Sequence, residues 1–93
     1  MNEIEALLEE IRAILPTGFR AEITRRPARK DGMWLLMVQY GDSSFIGIIW
    51  DAATGEFGVT RWAGAASNFR TETHGIVRTR AAARQRVASL LPQ

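Results

Sequence analysis

Apolar residues follow two different periods along this chain. Ile4, Leu7, Leu8, Ile11, Ile14 and Leu15 recur every three to four positions, the spacing that collects side chains on one face of an α-helix. Asn2 and Glu5 stand at capping-box spacing before that run. Glu3, Glu5 and Glu9 lie near its start, where the helix dipole favours anions. Pro16, Thr17 and Gly18 end it. A second helix is predicted over residues 80 to 91, with Thr79 as its N-cap and Ala83, Val87, Leu90 and Leu91 as its apolar stripe. Pro92 stops it.

Between the helices the period drops to two. Residues 19 to 26 alternate Phe19, Ala21 and Ile23 with Arg20, Glu22 and Thr24, as a strand with one face in water does. Pro27 to Gly32 reads as a loop, with Asp31-Gly32 as its turn signal. Residues 33 to 40 and 44 to 50 are apolar on both faces and flank the turn residues Gly41, Asp42 and Ser43. A second turn at residues 51 to 55 leads into a strand over 56 to 62. Residues 63 to 75 are small and polar, long for a plain connection, and have room for a short fifth strand around 69 to 73. The order predicts an α+β domain: an N-terminal helix, an antiparallel meander sheet of three to four strands and a C-terminal helix, with both helices on one face.

That architecture leaves a surplus of apolar surface. If Phe45 pairs with Tyr40 on one side and with Trp62 on the other, the pleat sorts the strands into two sets. Leu35, Met37, Ile46, Ile48, Trp50, Phe57 and Val59 form a mostly aliphatic set. Trp34, Leu36, Val38, Tyr40, Phe45, Ile49 and Trp62 form an aromatic one, with Gly47 and Gly58 between them. A one-residue slip in one hairpin would mix the sets. Two helices cover a sheet of this width once, not twice. The second face needs the 63 to 75 loop, a second copy of the chain or a partner as cover. With the aliphatic set under the helices, Trp34, Tyr40, Phe45 and Trp62, with Arg61 beside them, become the partner-binding residues. The competing arrangement puts the aromatics in the core, with the glycines letting the helices approach.

Composition narrows the chemistry. Ninety-three residues, 46% apolar and 24% charged, make one domain over 1–93 that is too apolar to be disordered. No apolar run approaches the roughly 18 to 20 residues of a membrane span. The acidic N-terminus lacks the basic start of a signal peptide, so a cytoplasmic location is expected and no membrane partner. With no cysteine, one histidine and three aspartates, neither a metal nor a cofactor is expected. His74 has Thr71, Thr73, Glu72 and Ser67 near it only in sequence, and reads as a solvent-exposed loop residue. Asp51 and Glu56 flank a turn and read as turn-forming and solubilising rather than as a catalytic pair. Neither the glycines nor Lys30, the only lysine, makes a phosphate-binding loop. No catalytic constellation emerges, so a non-enzymatic role is expected.

Charge is uneven along the chain. Residues 1 to 19 carry a net −3, 20 to 30 a net +4, 31 to 56 a net −4 and 57 to 93 a net +5. Eleven of the 12 basic residues are arginine, whose guanidinium suits carboxylates, phosphates and aromatic faces. Arg78, Arg80 and Arg84 place cations at the start of the second helix, where the dipole disfavours them. A bound anion or acidic partner would compensate, and so would Glu72 or the acidic first helix. Arg25, Arg26 and Arg29 form a second cluster beside an edge strand, where charge also discourages unwanted strand pairing.

Two functional expectations follow. The first is a non-catalytic protein-binding module, a small inhibitor or adaptor with a protein partner. In size and format the chain resembles small phage-encoded or mobile-element inhibitors, anti-CRISPR proteins among them. The second is nucleic-acid binding. Helix, strands and a final helix with a basic start resemble the double-stranded-RNA-binding domain, and Arg78-Thr79-Arg80-Ala81-Ala82-Ala83-Arg84 stands where that family grips phosphates. The chain departs from that family in lacking paired lysines, in its extra strand and in its acidic first helix. A homodimer stacking sheet on sheet is a further possibility.

Overall fold

A computed structural model describes residues 1–40, 44–63 and 70–91, with the backbone alone at 63 and 70–74. Helix α1 spans Glu3–Ile14, and strands β1 to β5 span Arg20–Arg25, Met33–Gln39, Phe45–Asp51, Phe57–Ala63 and Arg70–Val77. Helix α2 spans Arg80–Leu90. The strands form one antiparallel meander in sequence order. The fold is therefore the expected α+β arrangement, with five strands instead of three or four. The fifth runs past Thr73 to Val77 because Gly75 takes a φ of 82°, a conformation glycine adopts without a steric penalty. Around it the ladder steps from Gly58 opposite Ile76 to Thr60 opposite Thr73, a bulge that absorbs one extra residue.

Both helix starts are capped as the sequence indicates. The Asn2 Oδ1 accepts from the Glu5 N–H at 3.0 Å, and Glu5 Oε1 accepts from the Asn2 N–H at 3.1 Å. The Thr79 hydroxyl accepts from the Ala82 N–H at 3.1 Å. Ile4, Leu7, Leu8 and Ile11 are buried on α1, and Ala83 and Val87 on α2. Helix α1 packs over β1 and β2, α2 over β4 and β5, and the two touch each other. Their common core partners are Ala21, Leu36, Val38, Ile46, Ile48, Trp50, Phe57 and Val59.

The β2–β3 register corrects one expectation. Tyr40 pairs with Ser44, not Phe45, through its N–H at 2.9 Å from the Ser44 carbonyl, and Phe45 pairs with Gln39. The β3–β4 register is as expected, with Phe45 opposite Trp62. The one-residue slip turns every β2 side chain over. Trp34, Leu36, Val38 and Tyr40 face the helices, while Leu35 and Met37 face away. Two apolar alternations on β2 leave its parity open, and packing decides it. Leu36 and Val38 sit beside Ile48 and Ile46, so branched aliphatics fill the helix side and the flexible Met37 is left outside.

Candidate docking face

The face of the sheet turned away from the helices can be read strand by strand. Arg20 and Glu22 stand on it from β1, and Met33, Leu35, Met37 and Gln39 from β2. Phe45, Gly47, Ile49 and Asp51 follow from β3, Gly58, Thr60 and Trp62 from β4, and Ile76 from β5. The β1 border is polar, and the Arg20 guanidinium reaches Gln39 Oε1 at 3.4 Å. The centre is apolar. Met33, Ile49 and Ile76 are 53%, 43% and 67% exposed, well above what large apolar side chains show in a core.

Two shallow depressions meet at the Met33 end of that apolar area. One, of about 280 Å³, is lined by Arg25, Met33, Trp34, Leu35 and Ile49. The other, of about 200 Å³, is lined by Met33, Ile49, Asp51, Glu56, Gly58 and Ile76. Met33 and Ile49 belong to both and form the ridge between them. Towards the opposite end, the Trp62 ring lies over Gly47, with Met37 Sδ 3.5 Å from where a Gly47 β-carbon would stand. Phe45 packs against Trp62, tilted by 60° at 6.2 Å between centroids.

The expected partner-binding residues therefore divide. Phe45 and Trp62 lie on the open face. Trp34 and Tyr40 pack against the core from the helix side. Trp34 carries the Arg26 guanidinium 5.5 Å above its ring and lies 6.3 Å from Trp50. Tyr40 stacks on Phe19 at 5.7 Å. Arg61 stands opposite Ile46 on the helix side, half-buried. Met33, Leu35, Met37 and Ile76 join the open face without having been singled out for it. The apolar character of both alternations on β2 is the signal that points to the first three.

The arginines of α2 meet carboxylates of α1. Arg80 Nε lies 3.1 and 3.2 Å from the two Glu10 oxygens, and its Nη1 lies 3.1 Å from Glu3. Arg84 Nη1 reaches Glu10 at 3.4 Å. Arg78 pairs with Glu56 at 3.4 Å and Arg26 with Glu5 at 3.7 Å. The acidic first helix thus supplies the counter-charge that the start of α2 calls for. Asp51 Oδ1 accepts from the Ala53 N–H at 2.9 Å and closes the turn after β3. The His74 side chain lies outside the described residues. Among the described residues no group of three histidine or acidic side chains could hold a metal ion, and no helix is long and apolar enough to cross a membrane.

Comparison with protein-family models, with curated proteins and with solved structures finds no match to this chain.

Proposed function

We propose that this chain is a non-catalytic protein-binding module, a small inhibitor or adaptor, that docks through its open sheet face. The observation that carries the reading is the exposure of Met33, Ile49 and Ile76 beside Leu35 on one continuous face. A contiguous apolar surface with a polar border is the anatomy of a protein interface: a dry centre held by hydrophobic contact and a rim that stays wet. Phe45 and Trp62 add aromatic surface at one end, and methionines let the centre adapt to the shape it meets. The reading shifts the binding surface from Trp34 and Tyr40 to Met33, Leu35 and Ile49. Nucleic-acid binding through Arg78, Arg80 and Arg84 has less support, because these guanidiniums are already engaged by Glu56, Glu3 and Glu10.

A photo-crosslinking amino acid placed at Ile49, or at the exposed Ala88 on α2, tests the reading in the protein's own host. A discrete protein adduct from position 49 and none from 88 is expected. No adduct at 49, or the same adducts from both positions, overturns it.

A further inference from the structure

We infer that the occupant of the open face is a second copy of this chain, an inference that rests on the docking reading above. Charge placement is the first argument. At the end of the face that holds the two depressions, Arg25 lies on the β1 side, with Asp51 and the Arg78-paired Glu56 on the β3–β4 side. Met33, Leu35 and Ile49 lie between them. A two-fold axis parallel to the strands, near β2 and β3, exchanges left and right and keeps the ends in place. It carries Arg25 of each copy towards the acidic side of the other, so the same attraction forms twice. The same axis sets the apolar centre against itself, as an isologous interface requires. A partner with a uniformly basic or acidic surface would meet repulsion on one of the two sides.

Area is the second argument. With the axis near β2 and β3, four strands of each copy oppose one another, and at a spacing of about 4.8 Å and about 3.3 Å per residue over seven residues they overlap across on the order of 400 Å². Two copies closing on each other exclude on the order of 900 Å², in the range of weak and transient interfaces. An interface this small suits a reversible dimer rather than an obligate one. Face-to-face sheets pack about 10 Å apart with side chains interleaved, and the hollow at Gly58, where a β-carbon would meet nothing within 4 Å, leaves room for an opposing side chain.

Sedimentation velocity of the full chain from about 1 to 500 μM measures the association directly. The mass is expected to rise with concentration from monomer to dimer and stop there. Ile49→Glu and Met33→Glu should leave the protein monomeric throughout, with circular dichroism unchanged and melting in dilute solution lowered only slightly, because both side chains are largely exposed in the monomer. Arg25→Glu should weaken association about tenfold, as loss of two charge pairs predicts. A monomer at the highest concentration overturns the inference, and so does a dimer that survives Ile49→Glu. The position-49 crosslink separates the two readings. An adduct with a different protein sinks the self-association alone, and no adduct sinks both.

Discussion

The indole of Trp62 occupies the space above Gly47 that a β-carbon would fill. The glycine lets a large ring lie flat on the strand instead of standing out from it. Gly47→Ala should force the ring off the sheet at a cost of about 1–3 kcal/mol, with a red shift in tryptophan emission. In a Trp62→Ala background the same change should become neutral or stabilising, since alanine is about 0.5–1 kcal/mol better than glycine in a strand interior. Urea unfolding of the four proteins checks this, and an equal cost in both backgrounds would contradict it.

Ile48 and Ile49 are neighbours on β3 with opposite surroundings. Ile48 is fully buried under the helices and Ile49 faces out. Ile48→Ala should cost about 2–5 kcal/mol, whereas Ile49→Ala in dilute solution should cost less than about 1. Similar losses at the two positions would mean that the open face is packed in the monomer.

Glu10 joins the two helices by receiving both Arg80 and Arg84. These side chains are between a quarter and a half exposed, so solvent weakens the attraction. A double-mutant cycle of Glu10→Ala with Arg80→Ala should give a coupling of about 1 kcal/mol, falling as salt is raised. A cycle of zero at low salt would remove the clamp from the account of stability.

The indole N–H of Trp50 is buried without an acceptor among the described residues, while its ring packs on Phe57 at 6.2 Å. Trp50→Phe removes the unsatisfied donor and keeps much of the packing. It should cost well under the roughly 3–5 kcal/mol expected of Trp50→Ala. Thermal melts of the two variants distinguish packing from hydrogen bonding at this position.

Local signals carried most of the architecture. Asn2 and Glu5 mark the start of α1, Thr79 marks that of α2, and the alternation in β1 shows which of its faces is wet. The β3–β4 pairing also follows from the turn after Asp51. The β2–β3 pairing does not, because Trp34, Leu36 and Val38 compete with Leu35 and Met37 for the same side. Only the helices, packed from opposite ends of the chain, settle that competition. The candidate site inherits the same ambiguity. Its apolar excess is visible in the sequence, but the membership of Leu35 and Met37 depends on a register that local patterning leaves open. The fate of Arg80 and Arg84 likewise depends on Glu3 and Glu10, 70 to 77 positions away, a separation no short-range pattern encodes.

Those separations also bear on the order of folding. Neighbouring strands of a meander close short loops, whereas the contacts of Arg80 with Glu10 and Glu3 join residues 70 and 77 positions apart. The entropy lost in joining such distant parts of the chain falls mostly on the last step, once the sheet has brought the two helices to one surface. The helix clamp then acts as a latch on the finished molecule. Loosening it should leave the refolding rate nearly unchanged and raise the unfolding rate, so the ion pairs between the first and last elements set how long the native state persists.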